Sequence, residues 1–270
     1  MSSSTGLPAY SMNREDFPHM YERRLVTPLF RPWAEDLLDR VALPPGARVL
    51  DVACGTGIVA RLARQRLGDG GVVVGVDVSG GMLAVARAAE PRVEWREGDA
   101  SALPAAPGEQ FDVITCQQGL QFFRNREAAA REMRRVLAAR GTALLSTWRS
   151  VDEIPVLRDL QTVAERHVGS IVDQRHALGD AAALERLLVD AGFEQVEVET
   201  RSLPMTFENG GDFVRLNAMA LVGMSGAALD QTARERLVER LVEESADVVG
   251  PYLKGGVLTC AMAANIAVAR

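Results

Sequence analysis

The chain has 270 residues, 47% hydrophobic and 24% charged. That is enough apolar material for one large domain, or a domain with an insertion, and it excludes a disordered chain. Its 36 acidic residues against 30 basic give a net charge of −6, without the basic excess that phosphate neutralisation requires, so small molecules come before nucleic acid as partners.

No stretch approaches the roughly 18–20 apolar residues that span a bilayer. The start, Met1-Ser2-Ser3-Ser4-Thr5-Gly6, lacks the basic residues and apolar run of a leader. Cys54, Cys116 and Cys260 fit neither a disulfide framework nor a zinc pattern. The expectation is a reducing, cytoplasmic home and no metal. Nothing in the pattern assigns an oligomeric state.

Residues 15–43 read as helical, with Leu25, Leu29, Trp33, Leu37 and Leu38 at helical spacing, interrupted by Pro28 and Pro32. Arg48–Val52 reads as a strand that ends in a Gly-rich turn, and Ile58–Leu67 as the helix after it. Gly71–Asp77 is a second strand and Met82–Ala89 a second helix. Val93-Glu94-Trp95 is a short third strand leading into Gly98-Asp99-Ala100, and Phe111–Cys116 a fourth. A helix over Glu127–Ala139, closed by Gly141, precedes a fifth strand over Thr142–Thr147. Strands alternating with helices of this length predict right-handed βαβ units, a parallel sheet covered on both faces and a doubly wound α/β fold. Beyond residue 150 the pattern predicts a helix at Ala181–Ala191, a strand near Glu194–Arg201, helices around Asp212–Leu221 and Leu229–Val249, and a last strand near Leu258–Val268. The expected organisation is an N-terminal helical cap over 1–46, an α/β core over 47–149, and lid helices with completion of the sheet over 150–270.

In open α/β sheets, ligands sit beyond the carboxyl ends of the strands, at the switch in strand order. Four such ends carry suggestive residues. The first is the turn Asp51-Val52-Ala53-Cys54-Gly55-Thr56-Gly57, where glycines let a ligand approach the backbone. Asp77 ends the second strand, about 20 residues past Gly57, the distance at which a carboxylate accepts ribose hydroxyls. Gly55-x-Gly57-x-x-Ala60 also satisfies the dinucleotide pattern, so a nucleotide-dependent oxidoreductase stays open as an alternative. Asp51 argues against it, because a carboxylate repels a pyrophosphate and attracts a cation. Asp99 is placed to accept the exocyclic amine of adenine. The ligand so described is an adenosine with a positive tail, which S-adenosylmethionine fits.

The segment from Arg48 to about Trp148 resembles class I S-adenosylmethionine-dependent methyltransferases, in particular the small-molecule branch similar to ubiquinone- and menaquinone-biosynthesis methyltransferases. The Asp51–Gly57 turn carries the likeness. So do Gly75-Val76-Asp77-Val78-Ser79 with Met82, Glu97-Gly98-Asp99-Ala100 with Leu103-Pro104, and Phe111-Asp112-Val113-Ile114. The resemblance implies a seven-stranded sheet whose last strand runs antiparallel between its neighbours. It also implies in-line methyl transfer to a small-molecule acceptor. On that pattern Gly55 and Gly57 lie under the methionine part and Asp77 binds the ribose. Met82 packs on adenine, Asp99 and Ala100 bind its edge, and the backbone around Gln117 meets the amino-acid end.

One departure stands out: Gln121-Phe122 occupies a place where many relatives carry His, and Gln cannot act as a general base. His19, His167 and His176 lie outside the motifs, so no catalytic residue is assigned. Tyr21, Phe30, Trp33 and Trp148 are the candidate substrate wall, their aromatic faces suited to a sulfonium or a flat apolar acceptor, with Val151–Leu178 as a lid. A protein that binds the cofactor without transferring methyl shares the same motifs.

Overall fold

A computed structural model describes residues 17–270. The leader reading of Met1–Gly6 and the first two residues of the predicted helical stretch lie outside the described residues.

The described chain opens with α1 (Phe17–Tyr21), a wide π-type helical segment over Glu22–Phe30, and α2 (Arg31–Leu38). Pro28 sits inside the wide segment, where it has no N–H to donate, and Arg31 N donates five residues back to Val26 O. Then come β1 (Arg48–Val52), α3 (Ile58–Leu67), β2 (Val72–Asp77), α4 (Gly80–Ala89), β3 (Glu94–Glu97) and β4 (Phe111–Gln117). They are followed by α5 (Arg126–Val136), β5 (Leu137–Trp148), α6 (Pro155–Val168), α7 (Ala181–Asp190), β6 (Val196–Phe207) and α8 (Gly210–Met224). The chain closes with α9 (Gln231–Glu244), α10 (Ala246–Val249), β7 (Leu253–Lys254) and β8 (Val257–Ala269).

The strands form one sheet in the order β3-β2-β1-β4-β5-β8-β6, with β7 paired to β8 off that path. The pairs β1–β2, β1–β4, β2–β3 and β4–β5 are parallel, and β8 runs antiparallel to β5. The seven-strand path with its antiparallel last strand matches the expectation. The eighth strand adds a hairpin whose two-residue turn, Gly255 (φ 60°) and Gly256 (φ 84°), has the left-handed backbone of a type I′ connection.

Several boundaries differ from the sequence reading, the strand expected near Glu194–Arg201 running on to Phe207 among them. The fifth strand begins at Leu137, inside the predicted helix, because Leu137 pairs with Phe111 at the start of β4. Gly141 is then no helix cap. It lies within β5, where a Cβ would come 2.7 Å from Leu137 Cδ1 and 3.0 Å from Asp112 O. The region read as a lid contains the 14-residue helix α6, which buries Val156, Leu157, Leu160, Val163 and Ala164 on one stripe. The helix predicted over Leu229–Val249 is α9 and α10, divided at Ser245.

The described residues pack as two compact units. One comprises Pro18–Ser150, Arg175–Leu203 and Met262–Arg270. Its core joins Leu50, Val52, Val74 and Ile114 of the sheet to Ala130 and Met133 of α5 and Leu184 and Leu188 of α7. The other comprises Val151–Gln174 and Pro204–Ala261 with Phe17. There α6, α8 and α9 pack together and Arg215 pairs with Glu239.

Leu145, fully buried in β5, tests the first core. Leu145→Ala is expected to cost about 2–5 kcal/mol through the cavity it leaves, read as a lower urea midpoint at unchanged m-value. A loss under about 1 kcal/mol would mean the sheet relaxes around it.

Candidate functional site

The strand order reverses between β1 and β4, so the crevice opens past Val52 and Gln117. Directly after these strands, Ala53 and Gln118 both hold φ 55°, a left-handed backbone uncommon for residues with a Cβ. Such strain, of order 1–3 kcal/mol per residue, gathers at functional sites. The two loops touch: a Cβ on Gly119 would lie 2.6 Å from Ala53 Cβ.

The glycine turn is braced from the next strand. Asp77 Oδ2 accepts from Gly55 N at 2.8 Å and Oδ1 from Ser79 N at 2.9 Å. Burial pushes its carboxyl up, against the pull of backbone N–H groups at Ser79, Gly55 and Val78. A carboxylate offers about four lone-pair sites, so the side chain that shapes the turn keeps capacity for a hydroxyl. Gly55 faces open space, since a Cβ there would meet only Tyr21 Oη, at 3.9 Å.

Asp51 is 1% exposed. Its Oδ2 accepts from Ala60 N at 3.1 Å, in the first turn of α3, and its Oδ1 from Thr115 Oγ1 at 2.8 Å. It therefore caps α3 from the strand, while Gly57 (φ 88°), the residue in the cap position, has no side chain to do so. Burial raises the Asp51 carboxyl to about 7, with repulsion from Asp77 adding to it and the two hydrogen bonds opposing.

Met82 is half-buried in the first turn of α4, where its N–H donates to Ser79 Oγ at 3.3 Å. Asp99 is exposed, and its Oδ1 accepts from both Ser101 N and Ser101 Oγ at 2.7 Å, bonds that hold its carboxyl below the usual range. Ala100, next to it, is buried. Gln117 Nε2 donates to Phe30 O at 3.0 Å, whereas its Oε1 is buried with no hydrogen-bond partner. An unpaired buried acceptor costs about 1–3 kcal/mol, and a ligand ammonium would satisfy it. That orphan acceptor, the open face of Gly55 and the residual capacity of Asp77 fit an adenosine that carries an amino acid.

The N-terminal helices bring the aromatic candidates together over this end of the sheet. Tyr21 stacks on Phe30 with ring centroids 4.9 Å apart, Phe30 lies 6.4 Å from Trp148, and Trp33 meets Trp148 edge-on at 5.6 Å. Glu22 ties this segment to Arg61 of α3 at 2.9 Å. Trp33 and Trp148 are buried, at 1% and 6% exposure, so they back the cluster. Tyr21 and Phe30 remain partly exposed and form its accessible side.

Gln121 is buried, and its amide donates to Gln118 Oε1 at 3.1 Å. The histidines lie elsewhere: His19 is exposed on α1, His167 meets Glu244 at 2.8 Å, and His176 Nδ1 meets Arg149 O at 2.6 Å. Among the described residues no group of His, Cys, Asp and Glu could hold a metal. No helix of the described chain is long and apolar enough to cross a membrane.

One residue that shapes the turn escaped the sequence reading. Trp95 of β3 lies across Gly75 and against Gly57. The signal was a lone glycine inside the valine-rich strand Val72–Asp77, a mark of close approach by a neighbour.

Residues 49–141 match the family model described as a methyltransferase domain. The chain is 33% identical over 198 residues to a 2-phytyl-1,4-naphtoquinone methyltransferase of Thermosynechococcus vestitus, spanning 66% of this chain and 87% of that protein. It is 42% identical over 117 residues to a nocamycin O-methyltransferase of Saccharothrix syringae, covering 42% of this chain and 41% of the other. Among solved structures it is similar to a Haemonchus contortus phosphoethanolamine N-methyltransferase 2 in complex with S-adenosyl-L-methionine. That match has a TM-score of 0.57 at 19% identity, over 95% of this chain and 57% of that one.

Proposed function

The chain belongs to the S-adenosylmethionine-dependent methyltransferases that act on small molecules, and on that premise we propose how it divides cofactor from acceptor. The family sets the oxidoreductase alternative aside. Bound at the crevice, S-adenosylmethionine supplies a methyl group already activated by its sulfonium. The residues that would hold it are Ala53, Gly55 and Gly57 of the turn, with Asp77 toward the ribose; Asp51, expected to meet the cationic tail, is buried and bonded within the protein and supports the turn from beneath. Met82, Asp99 and Ala100 lie toward the base, and Gln117 toward the amino-acid end.

The acceptor is a flat, largely apolar molecule laid against Tyr21 and Phe30. The observation that carries this reading is the aromatic cluster gathered past β4 and β5, with two partly exposed rings backed by buried Trp33 and Trp148. Tyr21 and Phe30 orient the acceptor and shed water from its face. Gln117 ties the two halves, since one amide reaches the Phe30 carbonyl and leaves its other end for the cofactor. A quinone-type acceptor agrees with the naphtoquinone relative. The three cysteines are free, in keeping with a cytoplasmic enzyme.

Purified protein incubated with S-adenosylmethionine and a panel of hydroquinones and phenols should give a product heavier by one methyl. Phe30→Ala should raise the acceptor KM about tenfold while changing S-adenosylhomocysteine affinity less than threefold. The reverse pattern would move Phe30 to the cofactor side. Unchanged turnover in Trp33→Ala would remove that residue from the wall.

A further inference from the structure

We propose that Trp95 is a positioning residue for the cofactor, its indole wedged against Gly75 and Gly57 so that it sets where the glycine turn stands. This rests on the reading that the Ala53–Gly57 turn holds S-adenosylmethionine.

The two glycines of the turn do different work. Gly55 faces space and Tyr21 Oη, as a ligand-facing glycine should. Gly57 faces protein: a Cβ there would fall 2.3 Å from Cη2 of the Trp95 ring and 2.9 Å from Cζ3, distances no side-chain carbon tolerates. Gly75 repeats the constraint, since a Cβ on it would lie 2.4 Å from both Cε3 and Cζ3. Register explains the coincidence. Trp95, Gly75, Asp51 and Thr115 are successive partners across β3, β2, β1 and β4. Side chains in such a row share a face, and the bare position at Gly75 lets the indole lie flat across it toward the turn.

The ring is fixed at its far edge. Its Nε1 donates to Glu90 O at 3.0 Å, just past the end of α4, and Arg87 Nη2 donates to the Trp95 carbonyl at 3.2 Å. The residue is 9% exposed. What the indole presses on is connected in turn: Gly57 N donates to Cys54 O, and Gly57 O accepts from Arg61 N in α3, both at 2.8 Å. Loss of the ring would release the turn and the first turn of α3 together.

The test measures S-adenosylhomocysteine affinity by calorimetry and thermal stability side by side, for wild type, Trp95→Phe, Trp95→Leu, Gly75→Ala and the Gly75→Ala/Trp95→Leu double variant. Gly75 lacks a left-handed backbone, so its alanine variant adds no backbone strain and reports contact alone, chiefly with the ring at 2.4 Å and more weakly with Cys54 Sγ at 3.1 Å. Trp95→Leu and Gly75→Ala should each weaken binding at least tenfold, and Trp95→Phe about threefold. The double variant should lose clearly less than the sum of the two single losses, because the added methyl no longer meets a ring and only its weaker contact with Cys54 Sγ remains. Should Trp95→Leu fail to fold, Trp95→Phe carries the test. Variants that lose thermal stability yet bind as wild type would overturn the proposal, as would additive losses in the double variant. Failure of the wild type to bind would instead sink the cofactor reading itself.

Discussion

Asp77→Ala is expected to weaken S-adenosylhomocysteine binding about 100-fold in a calorimetric titration. Both carboxylate oxygens accept from the backbone, Oδ2 from Gly55 and Oδ1 from Ser79. Hydrogen bonds to a charged group contribute about 1.5–3 kcal/mol each. Losing the bonds to the two ribose hydroxyls comes to about 3 kcal/mol, which is two orders of magnitude in affinity, and the glycine turn loses its brace as well. The amide variant is the sharper experiment. Asp77→Asn keeps size and polarity but sets an NH2 against one of two N–H donors, so it should fall close to alanine. An asparagine variant that binds within threefold of wild type would mean the two oxygens are not both committed as described.

Asp51 gives the second large effect, on stability rather than affinity. Burial lifts its carboxyl to about 7 from an ordinary 3.8. The folded state therefore holds a proton that the unfolded state has released, across the window from about pH 4 to pH 7. Stability contributed by the protonated form is intact below that window and lost as pH rises through it. Between pH 5 and pH 8 the expected loss is roughly 2–3 kcal/mol, or about 5–10 °C in midpoint for a chain of this size.

Asp51→Asn isolates the effect. Its carbonyl oxygen still accepts from Ala60 N and its NH2 can donate to Thr115 Oγ1, whose own proton turns toward Leu50 O. The gap between wild-type and variant melting temperatures should widen in the variant's favour from pH 5 to pH 8. Parallel curves would show a carboxylate ionised throughout.

The central strands were legible because their signals are local. Apolar runs such as Val72–Val76 end in residues whose type alone marks a turn or a carboxylate. What Asp51 does was not legible. Its partner Thr115 lies 64 residues away and is brought alongside by pairing between β1 and β4. Trp95 was hidden for the same reason, since only the register of β2 against β3 lays the ring over Gly75. The boundary near Gly141 misled because glycine after a helical pattern has two meanings, a left-handed cap or close packing, and Leu137 made it the second. Helix α6 falls within the expected helical lid but had no bounds of its own, although its apolar stripe follows Pro155 at the first helical position, a start signal in plain view.

The left-handed residues that flank the crevice also limit how this chain can vary over time. At 53 and 118 the backbone sits at φ 55°, which admits Gly or Asn readily and turns away Val, Ile and Thr. The methyl of Ala53 rests against the bare Cα of Gly119, so a larger residue at 53 closes the gap that 119 leaves open, and any side chain at 119 requires glycine at 53. Position 119 can thus gain a side chain only after 53 has become glycine, whatever acceptor a descendant comes to methylate.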